Sequence, residues 1–386
     1  MYRKLKLFIV VSFVTLLAVA HPGYKYRVLL TDKNKTTFSL DQPDRFLSKK
    51  ALERREKQNI RIDSTDLPVC EAYIKAIERK GGKVVAKGKW NNFVTVSCAD
   101  TIQIHQIAQL PFVRAIKRVW IEPEVAKDEV LKRDTLINEY EEIDSLYYGV
   151  GTRQIEISNA DKLHQLGFKG QGMEVAVIDA GFHNLDSITL LDNVKIAGTK
   201  DFVNADGNLY LGHSHGLGVF SCMAANKPKV MVGTAPEATY WLLRSEDEHT
   251  EHLVEQDYWA AAVEYADSVG VDVINTSLGY HTFDDEAQNY TYRDLDGEHA
   301  LISRQASMVA KKGMVLVCSA GNTGANSWKK ITTPGDANYV LTVGAIDAQG
   351  VLAPFSAVGN TVDGRVKPDV VAVGRYAYAV SPYGTL

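Results

Sequence analysis

Cysteine is scarce in this sequence. The 386 residues contain four, Cys70, Cys98, Cys222 and Cys318, and none of them stands in a C-x-x-C pattern. Four cysteines in so long a chain do not build a disulfide scaffold or a recognisable metal site. We therefore expect buried free thiols. A Cys70–Cys98 bridge is the alternative, because an exported protein can form disulfides.

Long hydrophobic runs are lacking as well, with one exception at the N-terminus. Arg3, Lys4 and Lys6 precede a 14-residue apolar stretch that ends in Ala18-Val19-Ala20. The stretch is too short to span a bilayer easily. Its basic region, apolar region and A-x-A site are typical of a secretory signal peptide. We predict cleavage after Ala20, a secreted, periplasmic or extracellular product, and no membrane span.

A strong overall charge is also missing. The net charge is −4, which gives no reason to expect a nucleic-acid partner. The charge is unevenly distributed, however, because residues 1–120 carry +13 and the remaining residues −17. This asymmetry predicts two bodies that attract each other, and the alternative is two domains with unrelated surfaces.

The N-terminal third has the pattern of a small α+β unit. The periodicity predicts a strand, a helix, two strands, a helix and a strand: Tyr26–Leu30, Cys70–Ile77, Lys83–Trp90, Asn92–Cys98, Asp100–Ala108 and Val113–Trp120. This order is that of the ferredoxin-like split unit. Asp100 and Gln103 resemble a capping box. The charged insert around Ser48–Lys57 predicts a solvent-exposed helix.

The pattern changes after a charged segment. Residues 121–150 are rich in Glu, Asp and Lys, which indicates an exposed, protease-sensitive linker or, alternatively, a helix packed on a neighbouring domain. From about residue 154, strands and helices alternate. Alternation of this kind predicts an α/β fold, a mostly parallel sheet with helices on both faces, whose ligand site lies at the carboxyl ends of the strands. The sequence contains neither a G-x-x-x-x-G-K-[ST] loop nor a glycine fingerprint after the first strand of this region, so it does not indicate a nucleotide-binding protein.

Three polar residues follow predicted strands or begin a helix. Asp179 ends the apolar run at 175–178, His215 begins a helix, and Asn322 follows the strand at 314–318. An aspartate, a neutral histidine and an amide can orient a base, act as a base and donate to a developing oxyanion. Taken singly, each residue also has a simpler interpretation. Asp179 could cap a turn, and His215 could be an exposed residue at a helix start or half of a metal site. Asn322 could belong to a Gly-Asn turn.

These segments, taken in order, resemble the subtilisin-like serine proteases. The motifs that carry the resemblance are VAVIDAG at 175–181, SHGLGV at 214–219, VINTSLG at 273–279, SAGNTG at 319–324 and DGRVKPDVVAVG at 363–374. The resemblance covers roughly residues 154–386. Residues 25–120 are similar to the inhibitory propeptide of that family by their βαββαβ order.

The resemblance implies roles for individual residues. Asp179 would orient His215, His215 would take the proton from a serine, and Asn322 would donate to the oxyanion. Two segments, Ser277-Leu278-Gly279 and Ser319-Ala320-Gly321, would flank the pocket for the residue before the scissile bond. His213 is the rival base, and the glycine after His215 favours the latter.

The resemblance also implies an organisation. It predicts a signal peptide at 1–20, a propeptide at 21–122 that inhibits its own protease, a charged linker with the processing site at 123–153, and a catalytic domain at 154–386. Substrates would be proteins or peptides, and no cofactor is expected. Many relatives bind structural calcium, but no ligand cluster in this sequence identifies such a site.

One motif of the family has no counterpart here. The nucleophile of these proteases lies in a G-T-S segment, and this sequence ends Ser381-Pro382-Tyr383-Gly384-Thr385-Leu386. We expect that the sequence stops before the nucleophile and that the catalytic domain is incomplete. The alternative is that Gly384-Thr385-Leu386 is the motif with its serine lost. A protein of that kind would be an inactive pseudoprotease that binds peptides.

Overall fold

The structure, a computed structural model, describes residues 23–123 and 132–386. The predicted signal peptide at 1–20 lies outside the described residues. In the two described ranges, no helix combines the length and the apolar character needed to cross a membrane.

An antiparallel sheet organises the N-terminal unit. Its elements are β1 (Tyr24–Leu30), α1 (Lys49–Lys57), α2 (Glu71–Glu78), β2 (Lys83–Gly88), β3 (Phe93–Cys98), α3 (Thr101–Ala108) and β4 (Val113–Ile121). The strand order is β2-β3-β1-β4. Residues Tyr73, Ile74 and Ile77 of α2 are buried against the sheet, which agrees with their helical spacing. The structure therefore confirms the predicted βαββαβ order, with α1 as an insert.

The structure confirms the expected free thiols and excludes the alternative bridge. All four cysteines are free, including Cys70 and Cys98, which are buried in one apolar cluster without a bond between them. One local expectation for this unit is wrong, because the capping box is incomplete. Asp100 accepts from the backbone N–H of Gln103 at 3.0 Å, but the Gln103 side chain accepts from Ala99 instead of Asp100.

A parallel sheet with helices on both faces forms the C-terminal unit. Its elements are α4 (Thr152–Glu156), α5 (Ala160–Gln165), β5 (Glu174–Asp179), β6 (Lys195–Asp201), α6 (His215–Ala224), β7 (Asn226–Lys227), β8 (Met231–Val232), β9 (Thr239–Arg244), α7 (Val254–Val269), β10 (Val273–Thr276), α8 (Leu301–Lys311), β11 (Val315–Ser319), β12 (Leu341–Ile346) and β13 (Val370–Val373). Single 3₁₀ turns lie at Pro43–Arg45, Leu185–Ser187, Thr189–Leu191, Glu286–Gln288 and Tyr292–Asp294.

Seven of these strands form one sheet in the order β13-β12-β11-β10-β5-β9-β6. All six pairings are parallel. Successive side chains of β5 point to opposite faces of the sheet, as strand geometry requires. Ala176 and Ile178 pack in the cluster that contains α7 and α8, whereas Val175 and Val177 pack in the cluster that contains α6. The predicted α/β architecture is therefore confirmed.

Sequence periodicity misses the strands at the two ends of this sheet. In β6, Lys195, Thr199 and Lys200 place polar side chains at the sheet edge, so the apolar signal of a buried strand is absent. In β13, Val370 and Val371 are exposed. Edge strands need fewer buried side chains than central strands, and their pattern is correspondingly weak.

The N-terminal unit packs on α7 and α8 of the C-terminal unit. Ala86, Trp90 and Val119 join the same apolar cluster as Trp259 of α7 and Ile302 of α8. The expectation that helix α1 is solvated is wrong for one of its faces. Arg54 and Arg55 are 6% and 1% exposed, because both pair with Asp267 at the end of α7.

The charged segment between the two units falls partly outside the described residues, because the structure describes it only up to residue 123 and from residue 132. Residues 132–148 contain no helix or strand. They run along the C-terminal unit, where Ile137 donates to the Tyr383 carbonyl at 2.8 Å and Ile143 to the Lys229 carbonyl at 2.8 Å. The segment is thus irregular in structure but held by backbone hydrogen bonds.

Candidate active site

The carboxyl ends of β5, β10 and β11 lie side by side. Ile178, Thr276 and Cys318 occupy equivalent positions in the three strands. The residues one step further, Asp179, Ser277 and Ser319, are therefore aligned at one edge of the sheet. The sequence motifs singled out by their order in the chain are brought together by the parallel register.

Asp179 contacts His215 directly. Its Oδ1 is 2.8 Å from His215 Nδ1, and it also accepts from the Ala180 N–H at 2.7 Å. The carboxyl group is 2% exposed. The hydrogen bond with Asp179, opposed by partial burial, raises the pKa of His215 above its usual value. An imidazole held in this way has a defined orientation and binds a proton more firmly.

A glycine allows the helix to approach the strand this closely. A Cβ at Gly216 would lie 2.5 Å from the Gly181 carbonyl oxygen and 2.9 Å from Asp179 Cβ. A side chain at this position would push α6 away from β5. By contrast, a Cβ at Gly218 would meet only Ala379 Cβ at 3.7 Å, which is an ordinary contact.

His213 occupies a different position from His215. Its Nδ1 accepts the backbone N–H of His215 at 3.1 Å, so its ring supports the start of α6. Of the two histidines, the structure pairs His215 with Asp179.

No hydroxyl group reaches the other side of the imidazole within residues 23–123 and 132–386. Within these residues, the hydrogen bond of the His215 ring is the one to Asp179. The Ser381 hydroxyl is bonded to Thr385 Oγ1 at 2.8 Å. In the described part of the chain, the site therefore holds an oriented base without a nucleophile beside it.

A cleft of about 510 Å³ opens beside the Asp179–His215 pair. Ser277, Leu278 and Gly279 line it, together with Asp179 and His215. The other predicted substrate segment, Ser319-Ala320-Gly321, does not line this cleft and lies across Thr332 from Gly279. The Thr332 hydroxyl would be 2.1 Å from a Cβ at Gly279 and 2.7 Å from one at Gly321.

Asn322 stands at the exposed end of β11. Its side chain makes no hydrogen bond within the described residues, and it does not line the cleft. A free amide at the carboxyl edge of the sheet is able to donate to a bound substrate.

Sequence reasoning missed a group of acidic residues in this cleft. Glu246, Asp247, Glu248, Glu251 and Glu255 line it, and most of them belong to the loop that follows β9. Burial raises the pKa of Glu246 to about 7 and that of Glu251 to about 8. Glu246 lies two residues after the end of β9, so a search for carboxyl groups near the ends of buried strands, extended by two residues, would have identified it.

The residues described do not form a metal centre. No three groups from histidine, cysteine, aspartate or glutamate in ranges 23–123 and 132–386 are arranged to hold one ion.

Comparison with protein families gives two matches. The model described as "Peptidase S8 propeptide domain, Bacteroidota" matches residues 25–133, and the model of the subtilase family matches residues 170–386. The second match covers more than half of the chain, including Asp179 and His215.

Individual proteins resemble the chain over longer stretches. Subtilisin NAT of Bacillus subtilis subsp. natto is 28% identical over 312 residues, which is 80% of this chain and 68% of that protein. Serine protease AprX of Bacillus subtilis is 29% identical over 238 residues, 57% of this chain and 50% of that protein. The crystal structure of the epidermin leader peptide processing serine protease from Staphylococcus aureus shares the fold. Its TM-score is 0.56 and its identity 17%, over 91% of this chain and 75% of that one.

Proposed function

Because this chain belongs to the subtilase family, of subtilisin-type serine endopeptidases, we propose that it hydrolyses peptide bonds by acyl transfer with Asp179 and His215 as the orienting acid and the base. The observation that carries the proposal is the 2.8 Å contact between Asp179 Oδ1 and His215 Nδ1 at the carboxyl edge of the sheet. In this arrangement His215 Nε2 is free to take a proton from a nucleophile.

The other site residues receive roles from their positions. Ser277-Leu278-Gly279 and Ser319-Ala320-Gly321 would bind the peptide on both sides of the residue before the scissile bond. Asn322 would donate to the oxyanion, a contribution that is typically worth about 3 kcal/mol in acyl transfer.

The nucleophile is the part of the mechanism that these residues do not supply. Because no described hydroxyl reaches His215, we propose that the 386 residues by themselves lack it. Neither Ser381 nor any other described serine forms a hydrogen bond with His215.

Fluorophosphonate labelling tests the proposal. Protein expressed from its complete reading frame should be labelled, and the label should be lost in His215→Ala. His213→Ala is the matched control, because His213 is a neighbouring imidazole without a contact to Asp179, and it should keep the label. The 386 residues alone should not react.

One observation favours a second function, that of a peptide-binding pseudoprotease. It is the same absence of a described hydroxyl beside His215. A correctly folded full-length protein that takes no fluorophosphonate label and hydrolyses no peptide would decide for this alternative.

We further propose that residues 21–122 act as an intramolecular inhibitor that is removed by cleavage within 123–153. Support comes from the propeptide-domain match at 25–133 and from the packing of β2 and β4 on the α7–α8 cluster. The basic and apolar N-terminal residues would direct export, so that 1–20 is removed first. Mass determination of secreted protein tests both cleavages.

A further inference from the structure

The charge of the cleft beside Asp179 and His215 carries information about the substrate. We propose that this cleft accepts a lysine or arginine side chain, so that the enzyme cuts peptides close to a basic residue. The inference rests on the proposed function, because it names the substrate class of the same site.

Acidic groups dominate the lining of the cleft. Seven carboxyl groups and no lysine or arginine line its volume of about 510 Å³. The seven are Asp179, Glu246, Asp247, Glu248, Glu251, Glu255 and Asp284. The other titratable groups of the lining are three histidines, His213, His215 and His249. A cleft lined by one sign of charge attracts the opposite charge and holds it where water is partly excluded.

The cation at the end of β9 is already paired elsewhere. Arg244 pairs with Asp201 at 3.1 Å and donates to the Ala180 carbonyl, so it does not neutralise the carboxyl groups of the cleft. Glu255, 1% exposed, accepts from the backbone N–H groups of Asp247 and His252. Both donors are neutral backbone groups, so these bonds do not pair Glu255 with a cation.

Two carboxyl groups have oxygens without a donor. Asp179 accepts two hydrogen bonds at Oδ1, but its buried Oδ2 has no hydrogen-bond partner within the described residues. The Glu251 side chain, at the rim of the cleft, accepts no hydrogen bond from the described residues. Buried carboxylate oxygens are normally paired, so an unpaired oxygen at this site indicates a missing donor.

Two of these carboxyl groups have raised pKa values, which a bound cation would lower. Burial raises the pKa of Glu246 to about 7, and burial followed by the charges of Glu246 and Asp284 raises that of Glu251 to about 8. A cationic side chain placed among these groups would favour their ionised forms.

The shape of the group favours an organic cation over a metal ion. No three of these side chains, nor any others in the described part of the chain, converge as metal ligands do. A lysine or arginine side chain, in contrast, is long and can be satisfied by carboxylates spread along a cleft.

Paired peptides test the proposal on protein from the complete reading frame, after maturation. Fluorogenic peptides carry arginine or citrulline at each position in turn around the scissile bond. Citrulline has nearly the shape of arginine but no charge. At one or more positions, kcat/KM should be about tenfold or more higher for arginine. Glu251→Gln should reduce this ratio by roughly threefold or more, because Glu251 has no structural hydrogen bond to lose.

Glu298→Gln is the matched control, since Glu298 is an exposed carboxylate away from the cleft and should leave the ratio unchanged. Equal cleavage of both peptides at every position would overturn the inference while leaving the proposed function intact. If no peptide is cleaved and no fluorophosphonate label appears, the proposed function fails instead. The inference is then decided by fluorescence anisotropy: tighter binding of the arginine peptide supports it, and equal binding overturns it.

Discussion

At the scale of single residues, the hydrogen bond between Asp179 and His215 governs the protonation state of the base. The bond raises the pKa of His215, and the charge of Glu246 adds to this effect. Only the neutral imidazole can accept a proton, so activity should fall as the pH drops through a pKa above 6.5.

Replacing the orienting acid tests this dependence. In Asp179→Asn the negative charge disappears, so the pKa of His215 should fall and the acid limb of the kcat/KM profile should move to lower pH. At the same time kcat should drop by about 10⁴-fold, because the imidazole loses its orientation and the stabilisation of its charged form. A pH–rate profile measures both effects, and an unmoved acid limb would contradict the assignment of His215.

Two glycines of α6 provide a matched pair. Gly216→Ala should separate α6 from β5, because its Cβ would lie 2.5 Å from the Gly181 carbonyl oxygen. A displacement near 1 Å at such a site costs about 100-fold in activity. Gly218→Ala has room, and it should instead stabilise the helix by roughly 0.5–1 kcal/mol. Steady-state kinetics and urea unfolding separate the two, and equal losses of activity would refute the close-approach argument.

At the scale of elements, helix α1 shows how partners in space override a local pattern. Its sequence, KKALERREK, predicts exposure on every face. In the structure Arg54 also donates to carbonyls at the ends of α7 and α8, namely those of Asp267, Val271 and Lys312. These cations compensate the partial negative charge at helix carboxyl ends. No pattern within α1 predicts these contacts, because the carbonyl groups that accept from Arg54 lie more than 200 residues away in the chain.

The ion group around Asp267 should dominate the stability of the contact between the two units. Asp267 is fully buried and pairs with Arg54, Arg55 and Lys89 at 2.6, 2.9 and 3.4 Å. Asp267→Asn leaves these cations uncompensated and should cost about 3–5 kcal/mol in the free energy of unfolding.

Glu53→Gln is the control for this variant. Glu53 lies on the exposed side of α1 and, among the described residues, pairs only with Lys49 at 3.6 Å. Its loss should cost less than about 0.5 kcal/mol. Urea unfolding of the 386-residue chain compares the two, and a cost for Asp267→Asn as small as that of the control would show that the buried pairs contribute nothing.

At the scale of the whole molecule, the opposite charges of the two units should act mainly on their association. Residues 21–120 carry +10 and residues 121–386 carry −17. Long-range attraction is screened by salt, whereas pairs as buried as Arg27–Asp257 are screened much less. When residues 21–122 are supplied separately, raising the ionic strength should slow their binding to the mature enzyme more than it speeds their release. Surface plasmon resonance measures both rates, and rates that do not respond to salt would leave the charge asymmetry without a role.

The sequence by itself determined the order and type of most elements, the alternation that makes the large sheet parallel, and the family. It could do so because buried strands and amphipathic helices have periods of two and 3.6 residues, and because Asp179, His215 and the glycines around them form local motifs. The tertiary structure alone decided the edge strands, the burial of Arg54 and Arg55, and the acidic cleft. These features depend on groups that are distant in the chain. Arg54 and Arg55 meet Asp267 at the end of α7, and the cleft forms where β5, β9 and β10 align their carboxyl ends. The local pattern of a segment indicates which of its apolar side chains are buried, but not which charged groups from distant segments it contacts.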